Sequence, residues 1–192
     1  MPNPIVTGNA STIAGFSSMS YDLDKLHAIL ALMEYRGTTY GLGSKVADLN
    51  ASPPTFITPG GSPTNTLDCS GFQRYAMLHC AGLLMPDGSV NQLDFLAGKG
   101  FKHHSIAAGE NYTDNLAANV LYLCFCRTGS RGEGIGHIWA VYGGQNGHTA
   151  ESYGGVGPGS RSPQTPVLIR IATDVFAINR YAGAIVPGVA CA

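Results

Sequence analysis

The order of secondary structure constrains the fold of this 192-residue chain most strongly, because segments with helical periodicity come first and strand-like segments follow. The later segments are short, rich in β-branched and aromatic residues, and separated by Gly, Asn or Pro, as is typical of strands. They are Val120 to Cys126, His137 to Tyr142, His148 to Ser152, Val167 to Ile171 and Phe176 to Ile185. This order predicts an α+β fold, with N-terminal helices packed on an antiparallel β-sheet.

The first helix is predicted from four apolar residues that recur at three- and four-residue steps, which places them on one face. They are Leu23, Leu26, Leu30 and Met33. Ser20 is a suitable N-cap residue, and Gly37 is placed to end the helix. We expect this helix to serve packing.

A second helix is predicted from Ser70 to about Ala81, where apolar residues recur at helical spacing and Gly82 follows as a terminator. Cys69 then lies at the N-terminus of this helix. A cysteine in that position feels the positive end of the helix dipole and unpaired backbone N–H groups, and both favour the thiolate. The position therefore predicts a reactive cysteine.

A polar stretch rich in Pro and Gly, from Ser44 to Thr66, separates the two helices and shows no regular period. We interpret it as a long surface loop that lies over or beside a cleft and governs access to it. With 44% hydrophobic residues, the chain is long enough for one well-buried core. We expect a single catalytic domain over residues 1–192, with a helical part at about 20–117 and a sheet part at about 118–187.

Charged residues are scarce, since Asp, Glu, Lys and Arg make up 12% of the chain and the formal net charge is −1. Nucleic-acid binding requires a basic surface, so we expect no DNA or RNA partner. The N-terminal segment lacks the basic start and apolar stretch of a signal peptide, and no later segment approaches 18 uninterrupted apolar residues. We therefore expect no membrane insertion, and synthesis in the cytoplasm without a signal peptide.

Five cysteines, at positions 69, 80, 124, 126 and 191, form an odd set without a Cys-x-x-Cys pair, so at least one thiol is unpaired within the chain. Apart from Cys69, we interpret them as small buried apolar residues. A zinc site would have to combine His103 and His104 with Cys124 and Cys126, and that spacing matches no common zinc pattern. We expect no metal.

A reactive thiolate needs a proton acceptor nearby, and His137 is the best candidate. It begins a predicted strand after the glycine-rich approach Gly134-Ile135-Gly136. His27 and His79 lie in predicted helices and are weaker candidates. Cys69 and His137 are far apart in sequence, but the fold can bring them together.

Five motifs in the correct order give the chain a resemblance to a known family. They are Tyr40-Gly41-Leu42-Gly43, Asp68-Cys69-Ser70-Gly71-Phe72, Pro86, Ser89 and Gln92 at a Pro-x-x-Ser-x-x-Gln spacing, Gly136-His137-Ile138, and Ala150-Glu151-Ser152. The chain resembles the NlpC-type cell-wall cysteine peptidases, which are papain-like α+β enzymes that cut peptidoglycan stem peptides. Leu42 stands where the family has Trp.

The resemblance implies that Cys69 is the nucleophile, His137 the base and Glu151 the polar residue that orients the base. His148 is the alternative third member, because both candidates lie on the strand predicted to return beside His137 after a glycine-rich turn. They are three positions apart and therefore face opposite sides of a regular strand, so only one can point toward the base.

Four further residues are expected to contact substrate: Tyr40, Asp68, Ser70 and Arg161. The hydroxyl of Tyr40 is placed to assist the backbone N–H of Cys69 as an oxyanion donor. Asp68 and Ser70 flank the nucleophile and are candidates to bind the free amine of a stem peptide, although Asp68 could equally be a helix cap. Arg161 could hold a substrate carboxylate or remain a solvated loop residue.

The implied reaction is hydrolysis of an amide bond in the peptidoglycan stem, typically between D-γ-glutamate and the diamino acid that follows, without a cofactor. Two alternatives stay open. One is a papain-like acyltransferase with the same Cys/His pair, and the other is an inactive wall-binding or phage-tail structural module.

Wall hydrolases work outside the cytoplasmic membrane, so a chain without a signal peptide needs another route. We expect action in the periplasm or cell wall after non-classical export or injection. An interbacterial effector, a phage lysin and a recycling enzyme all fit. The expected partners are the stem peptide and an immunity or delivery protein.

Overall fold

The computed structural model describes residues 20–107, 110–127, 135–154, 157–162 and 174–181. Within these ranges the helices are α1 (Leu23–Tyr35), α2 (Cys69–Ala81) and α3 (Ser89–Gly98), with a 3-10 turn at Tyr112–Asn115. The first five strands are β1 (Ser20–Tyr21), β2 (Lys45–Val46), β3 (Phe56–Ile57), β4 (Pro63–Thr64) and β5 (Lys102–Ser105). The next five are β6 (Val120–Arg127), β7 (Ile135–Tyr142), β8 (His148–Tyr153), β9 (Gly157–Gly159) and β10 (Asp174–Tyr181).

Seven of the described strands form one sheet in the order β1-β10-β6-β7-β8-β9, and β5 also pairs with β10. All of these pairings are antiparallel except the parallel pairing of β1 with β10. The α+β class predicted from the sequence is therefore confirmed, with α2 packed against β7 and β8.

The sheet is covered on both faces, as the alternation of buried residues along β6 shows. Leu123 and Phe125 belong to the core shared with the helices. Cys124 and Cys126 point the other way and pack in a second cluster with Trp139. Successive strand residues face opposite sides, so an uninterrupted apolar run such as β6 needs cover on both.

Helix α1 forms where predicted, but its N-cap is Asp22 and not Ser20. The Asp22 carboxylate accepts a hydrogen bond from the backbone N–H of Lys25 at 3.0 Å, while Ser20 lies in β1. An aspartate immediately before the first helical residue satisfies an otherwise unpaired N–H group, which a residue two positions earlier does not. Gly37 follows the helix with φ 58°.

Helix α2 agrees closely with its prediction. It begins at Cys69 and ends at Ala81, and Gly82 is the C-cap with φ 64°, a left-handed conformation that glycine adopts without steric cost. The nucleophile candidate is thus the first residue of a 13-residue helix.

The segment from Ser44 to Thr66 is not the irregular surface loop that we predicted. Strands β2, β3 and β4 form a small antiparallel sheet within it. Val46 and Phe56 from this sheet are buried in the main core. Two-residue strands are too short to show a period in sequence, so the prediction missed them. Because two of its side chains fill the core, this segment stabilises the fold in addition to any role at a cleft.

The strands predicted in the second half of the chain are confirmed at β6, β7 and β8. The last predicted strand, Phe176 to Ile185, is confirmed as far as Tyr181 in β10. The predicted strand Val167 to Ile171 lies outside the described residues, as does the end of the last predicted strand. His103 and His104, the two histidines of the zinc site considered from the sequence, lie in β5. No helix in the described part of the chain is both long and apolar enough to cross a membrane.

Candidate active site

The N-terminus of α2 is built around Asp68, whose carboxylate caps the helix. Its Oδ1 accepts the backbone N–H of Gly71 at 2.6 Å and the hydroxyl of Ser70 at 3.0 Å. A Cβ at Gly71 would lie 3.0 Å from the carbonyl oxygen of Ser44, a tight contact that a small shift of the neighbouring backbone would have to relieve. The sequence Asp68-Cys69-Ser70-Gly71 therefore fixes Cys69 at the positive end of the helix dipole.

His137 lies near the start of β7, and its interaction with the Cys69 thiol raises the pKa of the imidazole. On its other side, Nε2 lies 3.6 Å from Oε2 of Glu151. That separation is an ion-pair contact and exceeds hydrogen-bond length, and Nε2 has no hydrogen-bond partner. The imidazole and the carboxylate are 5% and 0% exposed, so water does not screen their interaction.

The environment of His137 favours its protonated form. Burial lowers the pKa of His137, but the contacts with Cys69 and Glu151 raise it more, and the balance is a pKa of about 9. Because this value lies above the ordinary 6.5, the protonated histidine stabilises the fold fully below about pH 6.5. That contribution disappears as pH rises through about 9.

Glu151 is oriented by a short chain of hydrogen bonds. The hydroxyl of Thr149 donates to Oε1 of Glu151 at 2.9 Å. The same hydroxyl oxygen accepts the backbone N–H of Arg161 at 3.1 Å, which directs its proton toward the carboxylate. Oε2 is thereby left on the side of His137. Sequence reasoning did not single out Thr149, although its position two residues before Glu151 places both on the same face of β8.

His148, the alternative third residue, is the first residue of β8. It lies opposite the end of β7 that is far from His137. It pairs with Tyr142 across the two strands, and the two rings are 5.8 Å apart and nearly stacked. His137 lies five residues before Tyr142 in β7, so His148 is well separated from the base. Only Glu151 of the two candidates approaches His137.

Two hydrogen bonds tie β8 to the nucleophile helix on either side of Glu151. The side-chain amide of Gln73, one turn after Cys69, donates to the carbonyl of Ala150 at 2.6 Å. The hydroxyl of Ser152 donates to the carbonyl of Leu67 at 2.7 Å. All of these side chains are buried. The acid strand and the nucleophile helix therefore hold each other in register.

Gln92 gives the Pro-x-x-Ser-x-x-Gln spacing a structural role. Its buried amide donates to the carbonyl of Ser70 at 2.9 Å and to that of Pro86 at 3.0 Å. Helix α3 is thereby joined to the first turn of α2. This contact fixes the residue that follows the nucleophile.

Tyr40 is half-buried and close to both Cys69 and Asp68. Burial and the charges of Cys69 and Asp68 raise the pKa of Tyr40 to about 12. The phenol therefore keeps its proton throughout the neutral range and can act as a hydrogen-bond donor near the thiol.

Arg161, which we expected to contact substrate, is held in place by protein contacts. Its Nε donates to the hydroxyl of Tyr153 at 3.0 Å, and the guanidinium carbon lies 4.7 Å from the centre of that ring. The stacked arginine is therefore held in one orientation, with its backbone N–H supporting Thr149.

Lys45, which sequence reasoning missed, lies among the residues flanking the nucleophile. Its ammonium is 2.6 Å from Oδ2 of Asp68 and 2.7 Å from the hydroxyl of Ser70. A third acceptor, Oδ1 of Asp87, lies at 3.3 Å. Asp68 and Ser70, which we expected to bind a substrate amine, thus bind an ammonium from the protein itself.

Burial raises the pKa of each of the other three described cysteines. The pKa is about 12 for Cys80 and about 11 for Cys126, and it is well above the usual value for Cys124. No cluster of three or more potential metal ligands occurs among the described residues. His103 instead contacts Asp174 at 2.9 Å.

No protein-family model matches the chain, and no curated protein matches it. Among solved structures, the chain is similar to the NlpC/p60 domain of the peptidoglycan hydrolase SagA, with 22% sequence identity and a TM-score of 0.42. The match covers 78% of this chain and 97% of that one.

Proposed function

We propose that this protein is a cysteine peptidase that hydrolyses an amide bond in peptidoglycan stem peptides. The observation that carries the proposal is the buried group of Cys69, His137 and Glu151 at the N-terminus of α2. A thiol, an imidazole that favours its protonated form and a carboxylate behind the imidazole are the parts of a nucleophilic acyl-transfer site. The order of the five sequence motifs supports the bacterial wall as the source of substrate.

In the first step, the thiolate of Cys69 attacks the carbonyl carbon of the scissile amide, and a tetrahedral intermediate forms. The backbone N–H of Cys69 has no acceptor within the helix and is placed to donate to the developing oxyanion. The protonated hydroxyl of Tyr40 is a second donor. The imidazolium of His137 then protonates the leaving amine, and a thioester remains on Cys69.

In the second step, neutral His137 takes a proton from water, and the resulting hydroxide equivalent attacks the thioester. Collapse of this intermediate releases the acid product and returns the thiol. Glu151 keeps the imidazole oriented and stabilises its cationic form in both steps. No organic cofactor or metal takes part in this sequence.

The proposal also covers the bond that is cut, the site of action and the macromolecular partner. The bond is that between D-γ-glutamate and the following diamino acid, and the site of action is the periplasm or cell wall. Delivery by injection or a phage particle is consistent with these roles, and an immunity or delivery protein would be the macromolecular partner.

The test is digestion of purified peptidoglycan in water enriched in ¹⁸O, with the released fragments identified by mass spectrometry. Hydrolysis places one ¹⁸O in the new carboxyl group, whereas transfer to an amine yields a new amide without the label. The matched control is Cys69→Ala. Absence of fragments that depend on Cys69 would refute the proposal, and unlabelled products would reassign the protein as an acyltransferase.

A further inference from the structure

The polar residues around the nucleophile form a closed network centred on Lys45. The ammonium of Lys45 contacts Asp68, Ser70 and Asp87 at 2.6, 2.7 and 3.3 Å. The lysine side chain is 21% exposed and that of Asp68 is 7% exposed, so the inner contact is largely shielded from water. Shielding makes this ion pair stronger than one on the surface.

The hydrogen-bonding capacity of the Asp68 carboxylate is full. The Lys45 ammonium donates two hydrogen bonds, to Asp68 and Ser70, and forms an ion pair with Asp87. The Asp68 carboxylate accepts four groups: the backbone N–H groups of Gly43 and Gly71, the Ser70 hydroxyl and the Lys45 ammonium. Four is about the number that a carboxylate can accept. Asp68 therefore has no acceptor position left for a ligand.

This network is adjacent to the reacting group. Asp68 and Ser70 are the chain neighbours of Cys69, and the charges of Cys69 and Asp68 both act on the Tyr40 hydroxyl. A buried carboxylate and a hydroxyl beside a nucleophile would together form a receptor for a substrate amine. In this protein, the position that such an amine would take is filled by Lys45.

We infer that Lys45 is a specificity-determining residue, which excludes substrates with a free amine next to the scissile segment and favours those whose amine is acylated. The inference rests on the proposed function. It specifies the substrate as a stem peptide that is still joined to the glycan through its N-terminal amide, and not a released peptide with a free amine.

The selectivity arises because a free ammonium and an uncharged amide would interact differently with Asp68 and Lys45. A free ammonium would find no open acceptor on Asp68 and would lie close to the positive charge of Lys45, which repels it. An amide carries no charge and meets no such penalty. Asp87 could attract an ammonium only weakly, since its side chain is 49% exposed and already paired with Lys45.

The experiment compares two synthetic peptides of stem composition, L-Ala-γ-D-Glu-diamino acid, with the alanine amine either free or acetylated. We measure kcat/KM for each with the wild-type protein, Lys45→Met and Lys25→Met. Lys25 is an exposed lysine on α1, paired with Asp22 at 3.3 Å, and its variant makes the same chemical change away from the site.

The wild type is expected to cleave the acetylated peptide more efficiently than the free-amine peptide. Lys45→Met opens Asp68 to an external ammonium and should shift the ratio of kcat/KM values at least tenfold toward the free-amine peptide, whereas Lys25→Met should leave it unchanged. The wild-type ratio tests the inference even if Lys45→Met does not fold.

The outcomes separate the inference from the proposed function. A wild-type preference of tenfold or more for the free amine overturns the role of Lys45 and leaves the hydrolase intact. An unchanged ratio in a folded Lys45→Met variant does the same. If the wild type cleaves neither peptide nor intact peptidoglycan, the proposed function fails and the inference fails with it.

Discussion

The two sides of Cys69 differ in how completely their polar groups are paired. On one side, the Asp68 carboxylate has every acceptor position filled, and one of its four partners is the Lys45 ammonium. On the other side, His137 is buried beside Glu151 at 3.6 Å with Nε2 unpaired. A buried nitrogen without a hydrogen bond is costly. Under the proposed function, the first side supports structure and selection, and the second carries out proton transfer.

The largest expected effect is loss of turnover in Cys69→Ala, by at least about a thousandfold, because no other group can form the thioester. Iodoacetamide should label Cys69 well before Cys80 or Cys126, since burial raises the pKa of those two thiols to about 12 and about 11. Peptide mapping after partial labelling measures the order. A map in which another cysteine leads would refute Cys69 as the nucleophile.

This first prediction uses residues that the sequence alone could identify. A helix start, a cap and a terminating glycine are local features: Asp68 and Cys69 are adjacent at the start of α2, and Gly82 directly follows its last residue. The same reasoning predicted α2 to within one residue. No local rule connects residues as far apart in sequence as Cys69 and His137, so this pairing was a hypothesis from residue chemistry that the family resemblance supported.

Other parts of the site could not be predicted, for definite physical reasons. Lys45 lies in a two-residue strand, and such a strand leaves no periodic signal. Its contacts with Asp68 and Ser70 depend on how the small sheet packs against α2. The role of Thr149 depends on a hydrogen bond from the backbone of Arg161, and sequence carries no record of that contact.

The next largest effect tests whether the Asp68 side of Cys69 stabilises the fold. Asp68→Ala removes the helix cap and leaves the ammonium of Lys45 without its closest anion. Loss of a cap costs about 1 kcal/mol, and loss of hydrogen bonds to a charged group adds roughly 2 kcal/mol. We expect the free energy of unfolding, measured by urea denaturation, to fall by about 3 kcal/mol in total.

Asp68→Asn is the matched control for that change. Asparagine retains a side-chain oxygen that can cap the helix, and it loses only the negative charge. Its loss of stability should be smaller than that of Asp68→Ala. Equal losses would show that the charge alone matters, and no loss in either variant would contradict a structural role for this side.

The smallest effect tests the His137 side of Cys69, by changing Glu151, the residue proposed to orient His137. Glu151→Gln keeps the size of the side chain and removes its charge, so the imidazolium of His137 loses a buried counterion. We expect kcat to fall by roughly tenfold, because the histidine is less well oriented and its cationic form is less stable. His148→Ala is the control, since its ring packs beside Tyr142 at the far end of β7, and it should change kcat little.

The pH dependence distinguishes orientation from a general loss of structure. In the wild type, His137 loses its proton as pH rises through about 9, so kcat/KM should decline on the alkaline side near that value. Without the Glu151 carboxylate the pKa of His137 is lower, and the decline should move to lower pH. A damaging His148→Ala with a silent Glu151→Gln would make His148 the third residue. If Glu151→Gln lowers kcat but leaves the alkaline decline of kcat/KM at the same pH, Glu151 supports packing alone. The contrast between the two sides of Cys69 would then no longer mark the site of proton transfer.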